Sequence, residues 1–185
     1  GYVDNDNANL KYATNSTGSW VIETLGDAAT GGIAHTAISV HPATNAVHIM
    51  AVNGSNNNAD LKHYTNETGT WLNSTISNPS EDEGYRVKAD LDSHSNLHVV
   101  FIREAGSVTS PAYDDLILAS RINGVWQNQT ISRSVNEAQG IHFDMAIDSQ
   151  SQIHVTFQSR WNLGREISHG VLSSVNASNN WVLTK

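Results

Sequence analysis

The sequence predicts an all-β chain that uses one structural unit several times over, and three observations predict it. Four tryptophans, Trp20, Trp71, Trp126 and Trp181, recur at spacings of 51, 55 and 55 residues. Three of them follow matching polar turns, Asn15-Ser-Thr-Gly-Ser, Asn66-Glu-Thr-Gly-Thr and Arg121-Ile-Asn-Gly-Val. Between the tryptophans run short segments of β-branched and aromatic residues with a period of two, the mark of strands with one packable face.

Each element can be justified in order. After each Trp comes an alternating segment: Val21 to Leu25, Leu72 to Ile76 and Gln127 to Ile131. The next strand places Ala34, Thr36, Ile38 and Val40 in line with Tyr85, Val87, Ala89 and Leu91, and with Ile141, Phe143, Met145 and Ile147. Tight turns follow, His41-Pro-Ala-Thr-Asn45, Asp92-Ser-His-Ser-Asn96 and Asp148-Ser-Gln-Ser-Gln152, whose first residues can hydrogen-bond their own backbone. The chain returns through Val47 to Ala51, Leu97 to Phe101 and Ile153 to Phe157. A last strand at Leu61, Leu116 and Ile167 is preceded each time by an acid, Asp60, Asp115 or Glu166. Four short strands in a unit of about 50 residues describe the four-stranded blade of a β-propeller, and a stacked solenoid would use shorter repeats.

The expected repeats are 33–76, 84–131 and 140–184, about three full blades, with 1–25 supplying the later strands of a partial one. Gly1-Tyr-Val-Asp would be what remains of its second strand. On this phase the chain starts and stops inside a blade. An uncovered blade exposes apolar face and strand edge, so self-association or a further chain segment is expected to cover it.

The segments Leu10-Lys-Tyr-Ala-Thr-Asn15, Gly18-Ser-Trp20, Ala146-Ile-Asp-Ser149 and His154-Val-Thr-Phe157 resemble the propeller repeats of secreted bacterial and archaeal proteins. Those repeats are similar to sialidase-like and propeller-lectin blades, and the resemblance covers essentially the whole chain. It implies a propeller at the cell surface or outside the cell, with a glycan or a surface protein as partner. The Ser-x-Asp-x-Gly-x-Thr-Trp box of sialidases is absent in intact form.

Composition narrows the partners. A formal charge of -8, with 10 Lys and Arg scattered along the chain, excludes nucleic acid as the main partner, because neutralising phosphates needs clustered cations. The absence of cysteine rules out disulfides and thiolate metal sites. No apolar run reaches the roughly 18 residues that a membrane span needs. Sequons occur at Asn15, Asn53, Asn66, Asn73, Asn128 and Asn176, and most are expected in turns.

Candidate chemistry follows from where the repeats differ. His48, His98 and His154 recur at one position of the second strand, so they are expected to be buried residues hydrogen-bonded to a neighbouring blade's backbone rather than ligands. The polar face of the first strand varies instead: His35, Arg86 and His142 align, as do Ala37, Lys88 and Asp144. One reading places His35, Arg86, Lys88, His142 and Asp144 around an axial pocket for an anionic or polyhydroxyl ligand. The other makes Lys88 and Asp144 an ion pair between repeats. Trp161 beside Arg160, in the loop 159–164, offers a ring on which a sugar could stack, with Tyr113 in the matching loop of the previous repeat. Asp4 and Asp6 are weak candidates for calcium, since hard cations want carboxylate oxygens; no other cofactor is expected. No catalytic triad, paired-carboxylate motif or phosphate loop is present. The expected function is non-catalytic binding or assembly. The alternatives are a glycan-active enzyme fragment using Arg86, His142 and Asp144, or a surface-layer or filament subunit.

Overall fold

A computed structural model describes residues 1–4, 9–27, 35–53, 60–76, 82–105, 113–133, 142–161, 164–172 and 181–184. The described residues hold fifteen strands and no helix, in four antiparallel sheets. The first contains β1 (Tyr2–Asp4), β2 (Asn9–Thr14) and β3 (Val21–Asp27). The second contains β4 (Thr36–Val40), β5 (Val47–Asn53), β6 (Asp60–Thr65) and β7 (Leu72–Thr75). The third contains β8 (Asp82–Leu91), β9 (Leu97–Ala105), β10 (Tyr113–Ile122) and β11 (Val125–Arg133). The fourth contains β12 (Phe143–Ile147), β13 (Ile153–Trp161), β14 (Gly164–Leu172) and β15 (Val182–Thr184). In every sheet the strands lie side by side in chain order. The all-β expectation is met.

Two compact units divide the chain, Gly1–Val87 and Lys88–Lys185, with the division inside β8. The first sheet has three strands where each of the others has four. Its β1 pairs with β2 as β5 pairs with β6, Tyr2 opposite Lys11 and Ala51 opposite Lys62, so β1 stands at a second-strand position.

Turn chemistry explains the tight connections. Asn123-Gly124 closes β10 onto β11 with Ile122 opposite Val125, both central residues at positive φ (51° and 81°), the two-residue hairpin whose twist matches the strands. The turns before β9 and β13 each place one residue in the left-handed region, Ser95 (φ 66°) and Ser151 (φ 61°). The longer turn before β5 uses Asn45 (φ 57°), a residue that tolerates this region better than serine. Ser95→Asn is therefore expected to stabilise the chain by about 0.5 kcal/mol. A chemical-denaturation midpoint at or below wild type would disprove it.

Inter-sheet packing follows one rule in each unit. In unit 1, Val47, Ile49, Ala51 and Tyr64 of the second sheet meet Leu10, Val3, Tyr12 and Leu25 of the first. Trp71 belongs to this cluster. Its ring meets Tyr12 edge-on with centroids 5.2 Å apart, and its indole N–H donates to Glu23 Oε2 at 2.9 Å. In unit 2, Ile153, Val155 and Phe157 of the fourth sheet meet Val100, Ile102, Leu116 and Leu118 of the third, with Trp181 packed against them. We call the face that meets a preceding sheet the front and the opposite one the rear. Alternation along β13 then puts His154 and Thr156 on the rear of the fourth sheet, and Trp20 stands on the front of the first.

Trp71 and Trp181 pack against a neighbouring sheet, and Trp20 does not: it is 71% exposed. In unit 1 the second sheet packs on the rear of the first, and the indole on its front is left exposed. The acids Asp82 and Glu83 open β8 rather than lying in a loop.

Candidate functional site: the inner strands and the turn histidines

β4, β8 and β12 are the edge strands with which the three four-stranded sheets begin, and their polar positions differ from sheet to sheet. In unit 1, partial burial holds His35 below the ordinary histidine range, and the Arg86 guanidinium adds to the effect. Arg86 is half-buried and has φ 55° inside β8. Among the described residues the other non-glycine residues at positive φ all lie in turns. Strain at a non-turn position costs about 1–2 kcal/mol and persists only where the surroundings over-determine it.

In unit 2, Lys88 Nζ lies 3.1 Å from Asp144 Oδ1, so the alternative of an ion pair between repeats is realised. The same oxygen accepts the Met145 N–H at 3.0 Å. The Lys88 hydrogen bond, helped by that N–H, holds the Asp144 carboxyl below the usual carboxylate range. Both side chains are more than half exposed, so the pair adds under about 1 kcal/mol and leaves both groups open to a ligand. His142 is exposed immediately before β12. These edge strands thus carry imidazole and guanidinium in unit 1, and ammonium, carboxylate and imidazole in unit 2, groups able to bind hydroxyls and acids.

Other expected sites fall elsewhere. Trp161 and Arg160 lie in β13, Trp161 paired with Gly164 at a hairpin end, and Tyr113 begins β10 opposite Ala105. The ladder hydrogen bonds run further than the loop assignment allowed. The side chains of all three lie outside the described residues. Asp4 sits in β1 with its carboxylate 3.9 Å from Lys11 Nζ, and Asp6 lies outside the described residues. Among the described residues no group of three or more His, Asp or Glu could hold a metal ion. The sequons are not mostly in turns. Asn53, Asn73 and Asn128 lie in strands because the alternation continues through them, and Asn176 lies outside the described residues. Asn15 is an exposed turn residue, while Asn66 is half-buried and its Oδ1 accepts the Val47 N–H at 2.7 Å.

The recurring histidines belong to a module that sequence reasoning saw only in pieces. Asp92 Oδ1 accepts the N–H groups of His94 (2.9 Å) and Asn96 (2.8 Å). Its Oδ2 accepts Asn96 Nδ2 (2.9 Å) and lies 3.2 Å from His98 Nε2. A carboxylate only accepts, so the Nε2 proton is assigned to His98, leaving Nδ1 to accept the Ser120 hydroxyl at 2.8 Å. Burial holds His98 below the ordinary histidine range, against the opposing pull of Asp92 and Asp90. Asp148 repeats the design with Gln150, Gln152 and His154. There the second partner is His169, whose Nε2 lies 3.3 Å from His154 Nδ1 with the rings stacked. In the second sheet His48 Nδ1 meets His63 Nε2 at 3.0 Å, and His41 replaces the turn aspartate, its Nδ1 accepting two backbone N–H groups. These partners come from the residue's own sheet, where a neighbouring blade's backbone was expected. The signal was present in the spacing Asp-Ser-x-Ser-[Asn/Gln]-[Leu/Ile]-His.

No protein-family model matches the chain, and no curated protein matches it.

Proposed function

We propose that the four sheets are blades of an extracellular β-propeller that binds without catalysis, its inner strands presenting a mixed-charge polar strip to a glycan or a surface protein. The blade reading is supported by four up-and-down sheets that pack front to rear within each unit. Arg86 carries the binding reading. A charged side chain held at φ 55° inside a strand pays backbone strain, and such outliers cluster where a side chain must be aimed. Lys88, two residues on, is exposed beside Asp144, so a ligand carboxylate or vicinal diol meets both a donor cation and an acceptor.

The test is an array of glycans and purified surface polysaccharides probed with the full chain. A hit whose affinity drops about tenfold in Arg86→Ala and in Lys88→Ala supports the reading. Arg86→Gly separates strain from chemistry. It should raise stability by about 1 kcal/mol while still losing affinity. Absence of any hit, or hits indifferent to both residues, overturns it.

A further inference from the structure

Two turns of unit 2 meet through their hydroxyls. The turn 92–96 follows β8 in the third sheet, and the turn 148–152 follows β12 in the fourth. Ser93 Oγ lies 2.5 Å from Ser151 Oγ, at the short end for two hydroxyls, and the Ser93 N–H donates to the same Ser151 oxygen at 3.2 Å. His94 Nδ1 stands 3.4 Å from each Oγ. Ser93 and His94 are exposed, and Ser151 is half-buried.

The pattern of donors singles out Ser151. Its oxygen accepts a backbone N–H, and it accepts the Ser93 hydroxyl as well when its own proton points to His94. The Nε2 proton is assigned to His94, so that Nδ1 presents a lone pair. Two donors on one hydroxyl oxygen favour its alkoxide form, and an imidazole lone pair beside it takes the proton; together these make serine a nucleophile. A contact of 3.4 Å is long for a hydrogen bond, and a base within that reach closes onto its hydroxyl as substrate binds. The backbone of the base is held by Asp92, whose Oδ1 accepts the His94 N–H at 2.9 Å. The repeat does not demand these groups. Where the third-sheet turn has Ser93 and His94, the fourth has Ser149 and Gln150, and the second has Pro42 and Ala43. Joining the two turns needs only the serines and the Ser93 N–H; the imidazole adds a base.

We infer that Ser151 is an acyl-acceptor site, taking an acyl group from an activated ester or thioester with His94 as its base. Ser151 Oγ attacks the acyl carbonyl carbon, and its proton passes to His94 Nδ1. The bond from that carbon to the leaving oxygen or sulfur breaks, and the leaving group takes the proton from His94. The acyl group stays on Ser151 as an ester. The step is redox-neutral and consumes nothing but the acyl donor. It uses no residue of the inner-strand strip and stands apart from the ligand reading.

The full chain incubated with p-nitrophenyl acetate tests it, with nitrophenol release timed and the acetyl group placed by peptide mapping. Ser151 should acetylate first, ahead of the lysines. Ser151→Gly should abolish that acetylation; glycine adopts the φ of 61° found there, so the variant keeps the turn, and circular dichroism checks that it folds. His94→Gln keeps a polar side chain on the exposed turn and should slow acetylation about 100-fold, the share a general base supplies. Ser93→Ala should slow it less, because the backbone N–H remains. Acetyl groups on lysines alone overturn the inference, as does a Ser151 rate that His94→Gln leaves unchanged. Acetylation of Ser93 in place of Ser151 overturns it too, since the protons would then be ordered the other way.

Discussion

Asp92→Ala is expected to destabilise the chain by about 3 kcal/mol, because one carboxylate supports both a turn and a buried imidazole. Removing it leaves the N–H groups of His94 and Asn96 to water and strands the His98 Nε2 proton where water does not reach. An unsatisfied buried donor costs about 1–3 kcal/mol, and hydrogen bonds to a charged acceptor contribute about 1.5–3 kcal/mol each. Asp92→Asn should recover only part of the loss, since its amide nitrogen would face the donors of Asn96 or His98. Asp148→Ala should cost less, because His154 is partly solvated. Urea midpoints for the three variants check this, and equal losses at Asp92 and Asp148 would mean that burial of the histidine does not set the cost.

Acid should act through the same module, and the sign follows from the two shifts. His98 titrates below the unfolded histidine, so its stabilisation is complete above about pH 6.5 and is lost as pH falls from there towards its folded value. Burial pushes Asp92 up, but the hydrogen bonds from Asn96, His98 and His94 outweigh it and hold the carboxyl below the usual range. Its contribution is complete above about pH 4 and is lost as pH falls further. Stability should therefore fall in two acid steps, and in Asp92→Ala the lower step should shrink.

Phe157→Ala is expected to cost about 4 kcal/mol, the largest single effect. The ring is buried between the third and fourth sheets among Val100, Leu116, Leu118 and Val155, and its deletion combines lost transfer free energy with a cavity that sheets held by ladder hydrogen bonds close poorly. Leu118→Ala, across the same interface, should cost about 3 kcal/mol. The double variant should lose less than the sum, since both open one shared cavity. Full additivity in denaturant titrations would place the two side chains in separate packing environments.

Much of the local structure was legible in the residues. Period-two alternation marked the strands, and the Asp-Ser turns marked the reversals before β9 and β13, because each of these is set by interactions within a few residues. The extent of β8 and β13 was not legible, since the ladder runs on through Asp82, Glu83 and Trp161 where the residue types read as loop. In the candidate site, the Lys88–Asp144 pair was foreseen as an alternative from aligned positions, and the aim of Arg86 was not, because nothing in a sequence marks a non-glycine residue for positive φ. The links from Asp92 to His98 and from His154 to His169 were equally hidden. They join residues whose recurrence could be counted but whose side chains meet only once the sheet is formed.

By itself, then, the sequence determined an all-β chain, the order of its strands and which residues share a face, because alternation and turn chemistry act over a few residues and are written in the repeat. Only the tertiary structure decided which of those faces is covered. Trp71 and Trp20 share one register and similar neighbours. One is half-buried and hydrogen-bonded, and the other stands in water, because burial depends on whether another sheet lies against that face.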